Sequence, residues 1–320
     1  MSAPGGLPRS HSSPPGPRRR RLCAALFLSL AISPLAGHSM AATPPFLPAP
    51  VQRHCTGRFD YALPAALRFT GAQQSLVLIT VDSELLPPGA PAGAAWKRRL
   101  ASVLAKPERA AAPVREFDLA GVGPAAWMTL QPTRPDLVTL LAMKRLPASN
   151  AALFLQFGAS AGREAVAERV FGKLAATWTP DTAPGFCTGP GAFVMPPSMN
   201  ERALASFGDP SLELTIRTET VSEPDDGQSS GDALPPGGQM LSKQQRNVAG
   251  FDGIEERMEF PDGRSGQRRL YSWVFPGRPA DGAAPRIRFT ATAGQARAAD
   301  LDIVWNALMT SWRQRPLGVR

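Results

Sequence analysis

A short phrase occurs twice in this chain, and it constrains the fold more than any other feature. Cys55-Thr-Gly-Arg-Phe-Asp-Tyr-Ala-Leu-Pro is followed 132 residues later by Cys187-Thr-Gly-Pro-Gly-Ala-Phe-Val-Met-Pro. A second match has nearly the same offset: Val170, Phe171, Leu174 and Trp178 align with Val304, Trp305, Leu308 and Trp312. Their spacing of i, i+1, i+4 and i+8 puts these side chains along one helical face. A strand-like run precedes each helix, Ala152 to Phe157 in one copy and Arg286 to Ala291 in the other. Three letters recur by chance, but two matches at nearly one offset point to duplication. The Thr179-Pro-Asp-Thr-Ala-Pro-Gly stretch is the natural joint, giving an N-terminal domain over 42–182 and a C-terminal domain over 183–320. Each has an ordinary domain size.

Within the first copy the pattern predicts strands at about 58–63, 75–82, 114–120, 125–131 and 137–145. A helix over 92–106 places Trp96, Leu100, Val103 and Leu104 on one face, away from Lys97, Arg98 and Arg99. Contact with a membrane and packing on a sheet account for that face equally simply, and packing is the favoured reading. The second copy offers strands at about 211–219, 252–260, 267–275 and 285–292, with Pro261-Asp262-Gly263 as turn chemistry between two of them. Residues 223–238 read as a polar loop. Short strands closed by one helix, twice over, predict an α+β fold of two similar domains, each a mainly antiparallel sheet with a C-terminal helix.

The segment before the repeats is an address. Four arginines at 18–21 precede an apolar run from Leu22 to Ile32, and Ser39 and Ala41 fit the small-residue positions before a cut after Ala41. Residues 1–41 therefore read as a secretory signal peptide whose apolar run is too short to span a bilayer. Its removal takes the formal charge from +9 to +4, since five arginines and no acidic residue leave with it. The remaining chain has no dense basic block of the kind nucleic-acid binding requires. The expected location is the periplasm, with no stable membrane anchor.

Hydrophobic residues at 43% and charged residues at 19% permit a packed core, but catalytic residues are scarce. Histidine occurs only at 11, 38 and 54. Gly158-Ala-Ser160-Ala-Gly162 matches the nucleophile elbow, yet the histidine that would take the serine proton should follow it in the chain, and none does. Gly121-Val-Gly-Pro-Ala-Ala126 mimics a dinucleotide fingerprint but leads into Trp127-Met-Thr-Leu, a strand rather than the required helix. Glu255, Arg257 and Glu259 read as a solvated strand face. Glu256 sits on the opposite, apolar face with Ile254, Met258 and Phe260, and Arg268 or Arg269 would pair with it. His54 beside Cys55 is a poor base for it, because adjacent residues on an extended segment point apart. No catalytic residue, cofactor or metal ligand is assigned. Cys55 and Cys187 occupy equivalent places in the two copies. They are either bridged in an oxidising compartment or buried as separate thiols.

The residues that close each copy then suggest a family. The run Leu301-Asp-Ile-Val-Trp-Asn-Ala-Leu-Met-Thr-Ser-Trp-Arg-Gln-Arg-Pro316, Gly185-Phe-Cys187, the strand Glu213-Leu-Thr-Ile-Arg-Thr218, Ala249-Gly-Phe-Asp-Gly-Ile-Glu-Glu256 and the Cys55-Thr-Gly-Arg-Phe59 opening resemble one group. It is the immunity proteins against type VI secreted phospholipase effectors, in particular the fourth class of Tle cognate immunity proteins. The resemblance spans nearly all of the mature chain and rests on packing signatures rather than catalytic motifs. It implies a two-domain, periplasmic, non-enzymatic inhibitor whose partner is a cognate lipase effector, clamped so that access to its active site is blocked. It carries over no contact residues. The cleft between the copies is the candidate surface, with Asp225 and Asp226 in the 223–238 loop as candidate interface residues. A periplasmic solute- or envelope-binding protein is the alternative.

Overall fold

The computed structural model describes residues 50–129, 136–180, 183–222, 234, 236–263 and 266–318. The expected signal peptide and the candidates Asp225 and Asp226 lie outside these residues.

The chain enters as a hairpin, β1 (Val51–Thr56) and β2 (Phe59–Pro64). It continues through β3 (Phe69–Leu76) and β4 (Ile79–Leu85) to helix α1 (Ala92–Leu104). Then come β5 (Val114–Leu119), β6 (Gly123–Thr129), β7 (Leu137–Leu146) and β8 (Ala151–Ser160). Helix α2 (Glu164–Ala176) and the short strand β9 (Trp178–Pro180) close this half. The second half repeats the plan, with no counterpart of α1 among the described residues. A small hairpin, β10 (Phe186–Cys187) and β11 (Gly191–Phe193), leads to β12 (Glu201–Asp209) and β13 (Leu212–Glu219). Four long strands follow: β14 (Gln239–Val248), β15 (Phe251–Asp262), β16 (Gly266–Phe275) and β17 (Arg286–Gly294). Helix α3 (Ala298–Ser311) and β18 (Arg313–Gln314) end the chain.

Twelve strands form one sheet in the order β14-β15-β16-β17-β13-β12-β3-β4-β8-β7-β6-β5. Every pairing is antiparallel, so the mainly antiparallel α+β expectation holds. The sheets of the two halves are not separate, however. β3 pairs with β12 from Leu76↔Glu201 to Phe69↔Phe207, across a β-bulge, and joins the halves edge to edge. Outward from that seam both halves run in one order: first strand, second, then the last four in reverse. Thr43–Arg320 is one compact unit.

The small hairpins are exchanged between the halves. β2 of the N-terminal hairpin pairs with β18, at the far end of the chain, through Asp60↔Arg313 and Phe59↔Gln314. β11 of the second hairpin pairs back with β9 of the first half, through Phe193↔Trp178 and Ala192↔Thr179. Packing follows the same exchange. Phe59, Tyr61 and Leu63 of β2 lie in one core with Leu214, Phe289, Trp305 and Trp312 of the second half. Phe186 and Phe193 lie in another core with Leu155, Phe171 and Trp178 of the first. The chain therefore crosses twice between halves, and each of these two cores is completed by residues from both.

Helix α1 covers the opposite face of the first-half sheet. Trp96, Leu100 and Val103, spaced i, i+4 and i+7, pack on Met128, Leu141, Met143 and Phe154 as the periodicity predicts. In α2, Glu164 in the first turn and Lys173 in the last complement the helix dipole. The face shared by α2 and α3 differs in one residue: Phe171 and Leu174 are buried, but Val170 is exposed where its counterpart Val304 is enclosed. Trp178 and Trp312 lie just beyond the helices, in β9 and at the C-cap of α3. No described helix is long and apolar enough to cross a membrane.

Candidate functional site

The two Cys-Thr-Gly phrases meet where the halves cross. Gly57 and Cys187 form an isolated β-bridge, with the Cys187 amide donating to the Gly57 carbonyl at 2.5 Å. The Cys55 and Cys187 Cα atoms are 5.9 Å apart, within the range a disulfide spans. The glycine ending each phrase has positive φ, +58° at Gly57 and +90° at Gly189. A Cβ at Gly57 would meet Thr218 Oγ1 at 3.0 Å and the Ala203 Cβ at 3.2 Å. Both the backbone angle and the space demand glycine there, which explains that part of the repeat.

A buried ion pair fastens this crossing. Arg58 forks onto Glu201 through Nε–Oε2 at 2.7 Å and Nη2–Oε1 at 2.6 Å. The guanidinium also donates to the carbonyls of Met195 (3.1 Å) and Pro196 (2.9 Å), while the Ser198 amide donates to Glu201 Oε1 at 2.7 Å. Two side chains this enclosed tolerate burial only because nearly every donor and acceptor is matched. Gln74 adds a bond from Nε2 to the Cys187 carbonyl at 3.2 Å, and Trp178 Nε1 donates to Thr188 Oγ1 at 3.2 Å.

Beside this crossing lies a groove of about 1040 Å³. Strand β1 forms one wall with Gln52, Arg53 and His54, and the central strands β3 and β12 supply Phe69, Gln74 and Phe207. The loop after β10 and the stretch from Trp312 to Arg315 close its ends. It is therefore lined from both halves of the chain. β1 pairs only with β2, so its outer edge is the edge of the small sheet. An aromatic row runs across the groove: His54 meets Phe207 edge-on at 4.9 Å, and Phe69 meets Phe207 at 5.5 Å. Phe69 is 57% exposed, an unusual fraction for a ring on a central strand. His54 Nε2 is buried with no hydrogen-bond partner among the described residues, and burial lowers the imidazole below its ordinary value of 6.5. The ring is neutral at pH 7, so the positive charge of the groove comes from arginines. Arg315 is held by Asp60 at 2.5 Å, whereas Arg313 stays more exposed, 3.8 Å from the same carboxylate. Aromatic faces, an available strand edge and guanidiniums equip the groove for an extended polypeptide.

The motifs considered for catalysis are not assembled into a site. Ser160 is exposed at the end of β8, in the strand-turn-helix setting the elbow motif suggests. The one histidine among the described residues, His54, lies instead in the groove against Tyr61 and Phe207. Gly121 lies in the hairpin turn between β5 and β6, as expected, and Gly123 opens β6 opposite Leu119. No group of three or more His, Cys, Asp or Glu side chains among the described residues converges as a metal site would.

The glutamates of β15 correct the alternation argument. Glu255, expected on a solvated face, is fully enclosed and receives hydrogen bonds from Arg246 (2.8 Å), Arg257 (2.9 Å) and Trp305 Nε1 (3.0 Å). Helix α3 lays Trp305 over that face, which a strand pattern alone does not reveal. Burial by itself would raise the Glu255 carboxyl, but the bonds from Arg246, Arg257 and Trp305 hold it below its ordinary value. Glu256 is also buried, and its partner is Lys243 at 2.7 Å on the neighbouring strand, not Arg268 or Arg269. Arg268 instead faces Asp262 at 3.7 Å and Arg269 faces Glu259 at 3.6 Å.

The fold is similar to that of solved immunity proteins of the type VI secretion system. One is the immunity protein TplEi from Pseudomonas aeruginosa in its apo form, with a TM-score of 0.63 and 17% identity over 83% of this chain and 98% of that one. A chain in the structure of the Tle4–Tli4 complex matches with a TM-score of 0.61 and 16% identity, over 83% and 98% of the two chains. TplEi complexed with an "L" peptide matches with a TM-score of 0.58 and 17% identity over the same shares. No family model matches the chain. No curated protein matches it either.

Proposed function

We propose that this chain is a periplasmic immunity protein that binds a type VI secreted phospholipase effector and blocks access to its active site, with no catalytic activity of its own. The groove carries the reading: it is lined by both halves, is built for a polypeptide, and belongs to a fold shared with TplEi and with a chain of the Tle4–Tli4 complex. In this reading residues 1–41 direct export. The chain arose by duplication of a unit with a joint near residue 183, and the common strand order of the two halves supports that descent. Cys55 and Cys187 are oxidised to a bridge in that compartment, where disulfides persist. The toxin segment enters the groove while the two halves hold it from either side, giving an interface of roughly 1,200–2,000 Å² or more.

The test is capture by mature residues 42–320 from envelope extract of the source bacterium, followed by phospholipase assay of the captured protein with and without the bait. Stoichiometric capture with loss of lipase activity is the expected result. Failure to capture a lipase from an extract shown to contain one overturns the reading. A second reading, a solute- or envelope-binding protein, draws on the groove volume, which is close to that of small-molecule sites. It predicts a rise in melting temperature with a small ligand and no protein partner.

A further inference from the structure

The turn between β3 and β4 breaks a local rule with no benefit to the core. Leu76 pairs with Ile79, so the two residues between them, Val77 and Leu78, make the whole turn. Both have left-handed backbone, φ +50° and +67°. Two-residue hairpin turns of this hand strongly favour Asn-Gly, because a branched side chain at positive φ meets its own backbone. Here a β-branched valine and a leucine occupy both positions. Neither is needed inside: Leu76 and Ile79 on either side are fully buried, while Val77 is 40% and Leu78 72% exposed. The Val77 amide donates to the Asn200 carbonyl at 3.0 Å, which pins the tip to the segment before β12. Met199, next along that segment, is 41% exposed, so a third apolar side chain is open to solvent in the same stretch.

The second half provides an internal comparison. Its equivalent hairpin, β12–β13, turns through Pro210-Ser211, with the Ser211 amide donating to Asp209 Oδ1 at 2.7 Å. The same hairpin order thus accepts a polar turn with a side-chain cap. The apolar pair at 77–78 is not a requirement of the fold, and strain kept at an exposed apolar site is a mark of function. Ala72 and Gln74 of the same strand line the groove, and Val77 follows Gln74 by three residues, about 10 Å of strand.

We infer that Val77 and Leu78 form a rigid apolar knob that enters an apolar pocket of the protein partner. This rests on the reading proposed above, which also names the pocket's chemistry. A phospholipase must hold acyl chains in an apolar cleft, and two aliphatic side chains on a preset turn are complementary to such a surface. The turn fixes them before binding, so little ordering is lost on contact.

The test replaces the knob with the turn the backbone prefers. Val77→Asn with Leu78→Gly keeps the left-handed angles and removes both aliphatic chains, and Leu78→Ser removes one with the rest of the turn unchanged. The probe is the phospholipase that the wild-type protein captures. The double variant should melt at or above the wild-type temperature and bind the lipase at least tenfold more weakly, with a matching loss of inhibition. Leu78→Ser should weaken binding in the same direction by a smaller factor. Binding by the double variant within twofold of wild type overturns the inference and leaves the immunity reading standing. A fall of several degrees in its melting temperature also overturns it, because the pair would then serve the fold. If the wild-type protein captures no lipase, both fall together.

Discussion

Replacing Glu201 by glutamine would test whether the exchanged hairpin is locked by charge. The substitution keeps the shape of the side chain but leaves Arg58, only 2% exposed, without its carboxylate. Removing one partner of a buried pair costs about 3–5 kcal/mol, because the remaining charge is left uncompensated. Arg58 keeps its bonds to the Met195 and Pro196 carbonyls, at 3.1 and 2.9 Å, so the lower end applies, about 3 kcal/mol. For a compact unit of this size, 1 kcal/mol moves the melting temperature by roughly 2–4 °C, which gives a fall of roughly 6–12 °C. Thermal unfolding followed by tryptophan fluorescence reads this directly, since Trp178, Trp273, Trp305 and Trp312 are all buried in the two cores. Arg58→Met combined with Glu201→Leu removes both charges and should recover part of the loss, though the Met195 and Pro196 carbonyls and the Ser198 amide would then lack a partner. A shift below about 2 °C for Glu201→Gln would refute the reasoning, since no buried charge would then have been stranded.

Three further outcomes follow from the same architecture. Residues 42–182 and 183–320 expressed separately should each fail to show a cooperative melting transition and recover it on mixing, because β2 needs β18 and β11 needs β9; independent cooperative folding of either half would contradict the exchange. Cys55→Ser should lower stability by up to about 5 kcal/mol if the proposed bridge closes its 132-residue loop, and the loss should match that caused by reductant on the wild type. Glu255 has a folded-state pKa held below its ordinary 4.5, so its contribution is fully present above that value and is lost as pH falls through the lower folded-state value. Glu255→Gln should therefore flatten the acid limb of the stability profile, and an unchanged limb would contradict the linkage.

The strands that alternate or run apolar for their full length were legible in the sequence, including β7, β13, β16 and β17, because their pattern depends only on local side chains. Strands β12 and β14 were not. β14 exposes most of its residues at the sheet edge, and β12 mixes small and polar residues between two other strands. The stretch 75–82 reads as one strand because valine and leucine at 77–78 carry no turn signal, yet the backbone reverses there. The Cys-Thr-Gly repeat located the crossing, and its glycines are required by their backbone angles. Which hairpin would pair with which terminal strand depends on partners more than 100 residues away, which no local pattern encodes. The same holds for the groove. His54, Phe69, Phe207, Arg313 and Arg315 come from four separate segments; His54 was marked only by its place beside Cys55, Arg313 and Arg315 only as part of the closing run, and Phe69 and Phe207 not at all.

The central claim is that the groove receives a phospholipase effector. The most direct measurement is inhibition of the captured lipase by mature wild-type protein compared with a variant carrying Phe69→Ser and Arg313→Glu, two groove residues whose side chains are more than half exposed. The account predicts stoichiometric inhibition by the wild type, and for the variant a binding loss of at least tenfold with its melting temperature within a few degrees of wild type. Equal inhibition by both proteins would contradict it.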